Sequence, residues 1–375
     1  MRILHISNYY YPHIGGIEQV ARDVINSLPY EEQRLICFNH DKGTETDLID
    51  GVPVTRVNCQ AKISSQSIAF GYGKELKKLM DEFRPEVVVF HYPNPFVAHF
   101  LLKYAKRDFK LVLWWHLDIV KQKFLKKFFR GQNLRLLKRA DRIVATSPNY
   151  IEGSEYLSAF RDKCTVIPNC VNTDRLKIND EIKAAAEKIK AENAGKTILF
   201  AVGRHVPYKG MEYLVKASRF LDERFRIFIG GKGSLTESLK ELAAGDEKIT
   251  FTGRISDEEL LAYILACDIF CFPSITKNEA FGIALAEAMY FSKPAVTFTI
   301  AGSGVNYVNL NGITGLEVEN CNAEKFAEAI KLLAGDDDMR AIYGAAARER
   351  VVNNFLFENF AKKIEELIKG LNEGN

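Results

Sequence analysis

The stretch TILFAVGRHVPYKG, residues 197–210, begins with a run of apolar and β-branched residues and ends in a segment that carries two basic side chains. The run predicts a buried strand, and the residues after Gly210 have helical spacing. A strand that leads through a turn into a helix is the repeating unit of parallel α/β sheets. Ligands of such sheets bind at the carboxyl ends of strands, which is where Arg204 and Lys209 stand. The stretch therefore predicts both the fold class and a site for an anionic ligand.

The same alternation of apolar runs and helix-period segments extends along the chain in two sets. Residues 172–196, between the sets, are rich in Lys, Glu and Ala and predict a linker with an exposed helix. Alternation of this kind implies parallel sheets with helices on both faces. The predicted strands are Ile3–Ile6, Leu35–Phe38, Val87–Phe90, Leu111–Trp115, Ile143–Thr146, Thr165–Ile167, Thr197–Val202, Arg226–Ile229, Ile249–Thr252, Ile269–Phe272, Ala295–Thr297 and Gly315–Val318.

The length of 375 residues also favours two domains, because single cores stop growing at roughly 250 to 300 residues. We expect two doubly wound, Rossmann-like domains, residues 1–172 and 173–356, facing a central cleft that holds the ligands. A last helix within residues 357–375 is expected to pack back on the first domain.

Composition excludes several other classes of protein. Hydrophobic content of 47% and charged content of 26% are ordinary for a globular chain. The seven cysteines are scattered, which favours reduced thiols over a disulfide framework or a zinc site. The first residues lack the pattern of a secretory signal, and no run of about 18 apolar residues predicts a transmembrane helix.

The segment EAFGIALAE, residues 279–287, contains two glutamates and is the segment most typical of a catalytic site. If a helix begins near Phe281, Glu279 lies in the loop before it and Glu287 on its inner face, so the two carboxylates meet two parts of one ligand. The free N–H groups of Phe281, Gly282 and Ile283 would then suit a phosphate. The alternative is a surface helix with two solvated glutamates.

Two further segments stand at carboxyl strand ends of the first half. Gly15 and Gly16 precede a helix and let the backbone approach a phosphate, although turn formation alone also explains them. His116 ends a strand and is a candidate site residue or a structural hydrogen-bonding partner. Asp118, two residues on, is expected either to orient His116 or to cap the next helix.

Taken together, these motifs resemble the family-4 retaining glycosyltransferases of the GT-B fold, nearest to bacterial mannosyl- and glycosyltransferases of surface polysaccharide and lipopolysaccharide assembly. The resemblance rests on the glycine pair, residues 203–210, residues 279–287 and Ile167-Pro168-Asn169, and it covers the chain to about Phe360. The family commonly continues the last motif with Gly and an acidic residue, where this chain has Cys170, Val171 and Asn172.

The resemblance implies a role for each matching residue. Glu279 would contact hydroxyls of the donor sugar, and Glu287 the ribose hydroxyls of the nucleotide. Arg204 and Lys209 would hold the diphosphate. Gly15 and Gly16 belong to the same donor site, the N–H of Gly16 reaching the distal phosphate, and His116 would lie beside the transferred sugar.

No metal or other cofactor is required by this interpretation, because Arg204 and Lys209 would do the work of a divalent cation. They and the helix-start N–H groups would stabilise the departing diphosphate. In the family's proposed front-face mechanism the acceptor attacks from the side that the diphosphate leaves, and the leaving phosphate oxygen is the base. The acidic run Asp336-Asp337-Asp338 is better explained by helix capping than by metal binding.

The nucleobase is read less directly from the sequence. In mannosyl-transferring relatives the loop at Ile255 touches the base, so the Ile255 backbone and the Asp257 carboxylate could read a guanine. Ser256 and Glu259 also form a predicted capping box, which accounts for the same residues. The loop favours GDP-mannose slightly over a uridine nucleotide.

The acceptor is inferred from the first half. Residues 121–139 carry eight basic side chains and no acidic one, interleaved with apolar residues at helical spacing. Such a segment is typical of an anionic membrane surface, and the alternatives are a nucleic-acid patch or a solvated helix with a core-facing stripe. Tyr11, His13 and His91 are predicted to line an acceptor pocket. We expect a cytoplasmic enzyme, peripheral on the inner face of the cell membrane, that uses no nucleic acid.

The sequence thus predicts a hexosyltransferase that moves mannose from GDP-mannose to a polyprenyl-diphosphate-linked glycan. A UDP-sugar-dependent enzyme with a soluble or other lipid acceptor and a sugar-nucleotide epimerase on the same fold remain alternatives. A non-catalytic, membrane-bound sugar-binding protein also remains. An oxidoreductase is disfavoured, because Thr236 stands where a dinucleotide fingerprint needs its third glycine.

Overall fold

The computed structural model describes residues 1–13, 15–63, 66–104, 106–118 and 123–371. The chain forms two compact units. Unit 1 comprises Met1–Asn169 and Glu358–Asn375, and unit 2 comprises Cys170–Phe357.

Unit 1 is built on an eight-stranded sheet with the strand order β10-β9-β8-β7-β1-β2-β4-β3. All neighbouring strands are parallel except β3, which runs antiparallel to β4 at one edge. A separate two-stranded hairpin joins β5 to β6. The strands are β1 (Arg2–Ile6), β2 (Glu32–Asn39), β3 (Glu45–Ile49), β4 (Val52–Asn58), β5 (Ala61–Ile63), β6 (Gln66–Ile68), β7 (Val87–Tyr92), β8 (Lys110–Trp115), β9 (Arg142–Ala145) and β10 (Cys164–Val166).

The helices of unit 1 follow the strands in the order expected of a doubly wound sheet. Every residue of β7 is buried, as expected of a parallel strand covered on both faces. The ring of Phe360 on the last helix lies 5.9 Å from that of Trp114 on β8. The helices are α1 (Gly16–Asn26), α2 (Tyr72–Glu82), α3 (Pro95–Leu101), α4 (Lys123–Arg139), α5 (Pro148–Gly153) and the last helix, α14 (Phe357–Gly370).

Unit 2 has a six-stranded, entirely parallel sheet with the order β13-β12-β11-β14-β15-β16. Its strands are β11 (Thr197–Val202), β12 (Phe225–Gly230), β13 (Ile249–Gly253), β14 (Ile269–Phe272), β15 (Ala295–Phe298) and β16 (Gly315–Val318). Its helices are α6 (Asp180–Glu192), α7 (Met211–Ala217), α8 (Thr236–Leu242), α9 (Asp257–Ala266), α10 (Ile283–Tyr290), α11 (Val305–Val308), α12 (Ala323–Ala334) and α13 (Asp337–Asn354).

Short 3-10 helices complete the chain at Leu102–Tyr104, Leu157–Lys163, Thr173–Leu176, Pro207–Lys209 and Ser218–Phe220. The predicted α/β class and all the predicted strands are confirmed, with ends that shift by up to three residues. The edge strand β3, its neighbour β4 and the β5–β6 hairpin were not predicted, because their sequences are short or mix polar with apolar residues.

The order of strands defines one reversal point in each sheet. In unit 2 the chain builds outward from β11 to β13 on one side and from β14 to β16 on the other. In unit 1 the corresponding point lies between β1 and β7. Connections leave in opposite directions there, and the loops that follow the two strands separate, so a crevice opens at their carboxyl ends.

Candidate functional site

The reversal point of unit 2 brings a lysine and a glutamate together. Lys209 Nζ lies 2.5 Å from Glu279 Oε2, and both side chains are largely buried. The hydroxyl of Ser274, just beyond β14, donates to the same carboxylate oxygen at 3.0 Å. Lys209 follows β11 and Glu279 follows β14, which are adjacent in the sheet. Two residues 70 positions apart in the chain are therefore held as one ion pair at the carboxyl end of the sheet.

The start of α10 lies beside this pair. The ring of Phe272, the last residue of β14, has Lys209 Nζ 5.1 Å from its centroid. A Cβ on Gly282 would lie 3.1 Å from atoms of the same ring. Gly282 precedes α10 and has a φ of 94°, a left-handed conformation that favours glycine.

This conformation corrects the expected start of the helix. The helix begins at Ile283 rather than near Phe281, because the backbone of Gly282 is not helical. The Phe281 side chain is buried in the core, with its ring 5.3 Å from that of Phe355. Within the described part of the chain, the N–H groups of Phe281, Gly282 and Ile283 have no acceptor, so the predicted donor cluster is available at the helix start.

Close packing fixes the segment that carries Glu279. The hydroxyl of Ser303 donates to the backbone carbonyl of Glu279 at 2.5 Å. A Cβ on Gly304 would lie 1.9 Å from the carbonyl oxygen of Ala280, so any larger residue would displace the backbone. The carboxylate is therefore held by its own loop as well as by Lys209.

Arg204 differs from Lys209 in being exposed. Its Nη2 donates to the hydroxyl of Tyr208 at 3.1 Å. Gly210, next to Lys209, has a φ of 60°, and a Cβ there would lie 2.1 Å from the carbonyl oxygen of Pro273. The β11–α7 connection thus rests directly on the end of β14, with one cation fixed and the other directed to solvent.

The second glutamate of the predicted motif is buried on α10. Glu287 is only 7% exposed, and burial raises its pKa from 4.5 to about 7. Arg175 opposes this rise in the pKa and Asp257 adds to it. Arg175 and Asp257 form an ion pair with an N–O distance of 3.3 Å. An ionisable carboxyl group thus stands near a charged pair in the same unit.

The loop predicted to meet the nucleobase is partly explained by local structure. Ser256 and Glu259 make the predicted capping box at the start of α9. The side chain of Ile255 is half-buried against the end of β12, where a Cβ on Gly230 would lie 3.2 Å from it.

The Asp336 side chain caps α13 by accepting from Met339 N, as its position predicts.

In unit 1 the predicted phosphate glycines stand at the start of α1. Gly15 is the N-cap residue and Gly16 begins the helix. Gly16 is exposed, and a Cβ built on it would meet no atom within 4 Å. Tyr11 is exposed beneath the guanidinium of Arg22. His13 is also exposed, and its ring lies 3.8 Å from that of His40, which the sequence analysis did not single out.

His116 directly follows β8, at the carboxyl end predicted for it. Its Nε2 lies 3.0 Å from Nδ1 of His91, and the two rings are stacked. Burial lowers the pKa of His116 from 6.5 to about 3, and burial with the adjacent histidines holds the pKa of His91 well below its usual value. Both rings are therefore neutral at physiological pH.

The position of His91 corrects its expected role. His91 is fully buried, so it has no exposed atom that an acceptor could touch. Asp118, which was expected to orient His116 or cap a helix, accepts from Trp115 Nε1 and from the hydroxyl of Ser154. The predicted cap falls at residues 119–122, which lie outside the described ranges. The ring of His116 is held by His91 rather than by an acid.

The basic segment lies only partly in the described region. Lys121 lies outside the described residues, and the side chains of Lys123, Lys126 and Lys127 are not described either. The rest of α4 buries Asn133, Leu136 and Leu137. The basic residues Arg130, Arg135 and Lys138 are exposed, so the helix has a core-facing side and a charged side. No helix of the described ranges combines the length and apolarity needed to cross a membrane.

The sequence analysis missed Ser274, Ser303 and Arg175, which support the two glutamates. Ser274 stands two residues after a predicted strand, so the rule for carboxyl strand ends could have found it. Ser303 and Arg175 come from distant segments and carry no local signal. Among the described residues, no three His, Cys, Asp or Glu side chains are grouped to hold a metal.

The arrangement in unit 2 suits a ligand with a diphosphate and hydroxyl groups. A lysine, an exposed arginine and free N–H groups offer positive charge and donors to phosphate, and carboxylates accept from hydroxyls. Two Rossmann-like parallel-sheet units, one of them with this site at its reversal point, are the architecture expected of a glycosyltransferase of the GT-B fold.

Comparison with known proteins identifies the family. The family model described as glycosyl transferases group 1 matches residues 183–350, and the model of glycosyltransferase family 4 matches residues 14–175. The chain belongs to these glycosyltransferases, as its motifs predicted.

Two relatives and a solved structure extend over most of the chain. The O-antigen chain mannosyltransferase C of Escherichia coli is 29% identical and aligns over 95% of this chain and 94% of its own. The D-rhamnosyltransferase WbpZ of Pseudomonas aeruginosa is 31% identical over 89% of this chain and 86% of its own. The structure of Anabaena Alr3699/HepE in complex with UDP and glucose superimposes with a TM-score of 0.77 at 17% identity, covering 98% of this chain and 99% of that one. The last likeness confirms the fold.

Proposed function

We propose that this chain is a retaining, metal-independent glycosyltransferase that moves mannose from GDP-mannose to a membrane-associated, polyprenyl-diphosphate-linked glycan in polysaccharide biosynthesis. The observation that carries the proposal is the Lys209–Glu279 pair, 2.5 Å apart, beside the start of α10. This pair combines a cation for the leaving group with a carboxylate for sugar hydroxyls.

Departure of the diphosphate is the step that these groups accelerate. Negative charge develops on the phosphate oxygen as the bond to the sugar breaks, and preorganised positive charge stabilises it. Lys209 is already fixed by Glu279, so little reorganisation is needed at that moment. Arg204 is exposed and is the second cation that can close on the diphosphate. With two cations in this role, a divalent metal ion is not needed.

Glu279 serves as a binding residue rather than a nucleophile. Its Oε2 is engaged by Lys209 and Ser274, and its Oε1 has no partner within the described residues. One oxygen is therefore left to accept from a sugar hydroxyl. Without a protein nucleophile, retention follows from attack on the face that the diphosphate leaves, with the phosphate oxygen as the base.

The resemblance also assigns roles to residues of unit 1. Gly16 is exposed at the start of α1, and its N–H suits the distal phosphate, with Gly15 allowing the approach. His116 is assigned to the transferred sugar, and Tyr11 and His13 to the acceptor. Ile255, Phe281, Gly282, Ile283 and Glu287 complete the donor site of unit 2.

Mannose is favoured by the O-antigen chain mannosyltransferase, whose alignment spans nearly the whole chain. Guanine is favoured by the position of Asp257 beside Arg175, which offers a carboxylate acceptor for a base amine. The UDP-sugar alternative is favoured by the UDP complex of the superimposed structure. The donor assay below separates the two.

A lipid-linked acceptor is favoured by the charged side of α4, where Arg130, Arg135 and Lys138 are exposed. Basic residues near an anionic surface are each worth about 1 kcal/mol of attraction. The enzyme is accordingly assigned to the inner face of the cell membrane. Sedimentation with anionic but not neutral vesicles, lost when these three residues become glutamine, tests the assignment; equal sedimentation of both proteins would reject it.

The function is tested by transfer assays with purified protein, a set of GDP- and UDP-sugars, and a lipid-diphosphate-linked glycan. We expect transfer from GDP-mannose that persists in EDTA and gives a product with the anomeric configuration of the donor, read by NMR. Conversion of the donor without an acceptor would instead show an epimerase. Transfer only from a UDP-sugar would select the second candidate.

Variants connect the activity to the site. Lys209→Ala and Glu279→Gln should each lower kcat/KM by roughly a hundredfold or more, the scale of losing one transition-state contact. Lys240→Ala is the matched control, because Lys240 also pairs with a glutamate, Glu237 at 3.1 Å, but on an exposed helix. Circular dichroism and thermal melting report folding. Near-normal turnover in both site variants would reject the assignment.

A further inference from the structure

A row of buried histidines lies behind His116 in unit 1. His5 on β1 and His91 on β7 are both fully buried. His5 pairs in register with Val89, two residues before His91, so the two side chains point to the same face of the sheet. His91 reaches His116 at 3.0 Å. A neutral histidine ring carries one proton on one of its two nitrogens, and the hydrogen-bond partners along the row determine which nitrogen carries it.

The protonation of His5 follows from its partner. Gln33 Nε2 lies 3.1 Å from the carbonyl of Ile25 and 2.8 Å from that of Leu28. Carbonyls only accept, so this atom of Gln33 is the amide nitrogen and Oε1 is an acceptor. Oε1 lies 2.9 Å from His5 Nε2, which must then carry the proton. Neutral His5 has a bare Nδ1, and the same deduction can be applied to the next pair.

One proton lies between His91 Nδ1 and His116 Nε2, and it has two placements. If His116 donates it, neutral His91 must carry its own proton on Nε2. That atom is buried and has no acceptor within reach among the described residues. If His91 donates it, His91 Nε2 is a bare nitrogen. Buried N–H groups without acceptors are rarer than buried acceptors without donors, so the second placement is favoured.

We propose that His91 is a positioning residue that donates its Nδ1–H to His116 Nε2 and so holds His116 in the tautomer with its proton on Nδ1. His116 is 5% exposed, and Nδ1 is the ring nitrogen left for a ligand. His116 then presents an N–H donor to the substrate. It does not act as a base.

This inference rests on the proposed function for the identity of the substrate group. The group that receives the N–H is a hydroxyl oxygen or the ring oxygen of the donor sugar, because both are acceptors. A base at this position would have accepted a proton from the attacking hydroxyl. The tautomer therefore leaves that role to the leaving phosphate oxygen.

The tautomer is measured directly by long-range proton–nitrogen NMR correlation on the ¹⁵N-labelled protein at neutral pH. The chain has seven histidines, and His116→Asn assigns the signals of that ring by their loss. We expect a protonated Nδ1 and a bare Nε2 for His116 in the unliganded enzyme. A protonated Nε2 would overturn the inference whatever the enzyme transfers.

Two substitutions of His91 test its part in holding the tautomer. His91→Leu removes the donor, and His116 should then move to the Nε2–H form that an unconstrained histidine side chain prefers, with a fall in kcat of tenfold or more and little change in the KM for the donor sugar nucleotide. His91→Asn keeps an amide N–H near the position of Nδ1 and should restore both the tautomer and most of the transfer.

The outcomes separate the inference from the function. An unchanged His116 tautomer in His91→Leu would overturn the role of His91. Wild-type protein that transfers no sugar from any donor would reject the proposed function, yet the NMR signals would still decide the tautomer. If the leucine variant does not fold, the wild-type spectrum and the asparagine variant carry the test.

Discussion

Replacement of Glu287 by glutamine should stabilise the unliganded protein at high pH and weaken nucleotide binding. The carboxyl group is 7% exposed, and its pKa is raised to about 7, chiefly by burial. A neutral amide of the same shape has no charge to bury. The benefit to stability should therefore appear only at pH values where the wild-type glutamate would ionise.

The size of the effect follows from the two pKa values. The folded value of about 7 exceeds the ordinary 4.5, and each pKa unit corresponds to about 1.4 kcal/mol. The difference corresponds to about 3 kcal/mol of unfolding free energy. The native state binds more protons than the unfolded chain between these values, so stability falls as pH rises through the window. Below pH 4.5 the wild-type carboxyl group is protonated in both the folded and the unfolded state, and its contribution of about 3 kcal/mol to stability is fully present.

The assay is denaturant unfolding of the full chain at several pH values, with wild type, Glu287→Gln and a control. Glu349→Gln is the control, because Glu349 is an exposed glutamate on α13. The free energy of unfolding of the wild type minus that of Glu287→Gln should change by about 3 kcal/mol from pH 4.5 to pH 8. The corresponding difference between the wild type and the control should stay constant. A flat difference for Glu287→Gln would refute the burial argument.

Nucleotide binding supplies an independent arm of the same test. Ribose hydroxyls donate to an ionised carboxylate more strongly than to an amide. Donor binding by the wild type should therefore tighten as pH rises through about 7 and release protons, which calorimetry in buffers of different ionisation enthalpy detects. Glu287→Gln should bind more weakly with no such pH dependence. Equal proton release in both proteins would exclude Glu287 as the titrating group.

Two smaller changes test the support of the site. Gly304→Ala places a Cβ only 1.9 Å from the carbonyl oxygen of Ala280, so the backbone must shift. The variant should lose about 1–3 kcal/mol of stability, measured by thermal melting, and should have a higher KM for the donor. Unchanged stability and KM would mean that this contact relaxes freely. Ser274→Ala removes the 3.0 Å hydrogen bond to Glu279 but leaves Lys209 in place. We expect kcat/KM to fall roughly fivefold, which corresponds to about 1 kcal/mol. A loss as large as that of Lys209→Ala would contradict the expectation that Ser274 contributes less than Lys209.

The fold could be predicted from sequence because its strands are buried on both faces. The run Ile269–Phe272 is apolar throughout and was predicted with the bounds that the structure has. The edge strand β3 was missed, because one side of it faces solvent and its sequence Glu45–Ile49 is largely polar. Burial on both faces, rather than strand propensity, is the property that the sequence reveals.

The same contrast separates the site residues. Arg204, Lys209 and Glu279 lie on the connections that follow predicted strands, so the topology of the sheet locates them. The contact of Lys209 with Glu279 depends on β11 and β14 being neighbours, which no local pattern states. His91 was assigned wrongly for a related reason. Its position at a strand end was correct, but its full burial depends on how the helices cover that face.

The Lys209–Glu279 pair also explains how a cationic site can exist without a ligand. Two uncompensated cations beside a helix start would repel each other in a partly buried setting. Glu279 neutralises Lys209 and keeps its ammonium group at the end of the sheet, while Arg204 stays in solvent, where its charge costs little. A diphosphate is itself negatively charged, so the positive charge of Lys209 remains neutralised when Lys209 contacts the diphosphate as well as Glu279. Glutamine at position 279 would remove the neutralising charge yet keep the bond from Ser274. We therefore expect Glu279→Gln to bind inorganic pyrophosphate more tightly than wild type while transferring sugar more slowly, a combination that simple damage to the site would not produce.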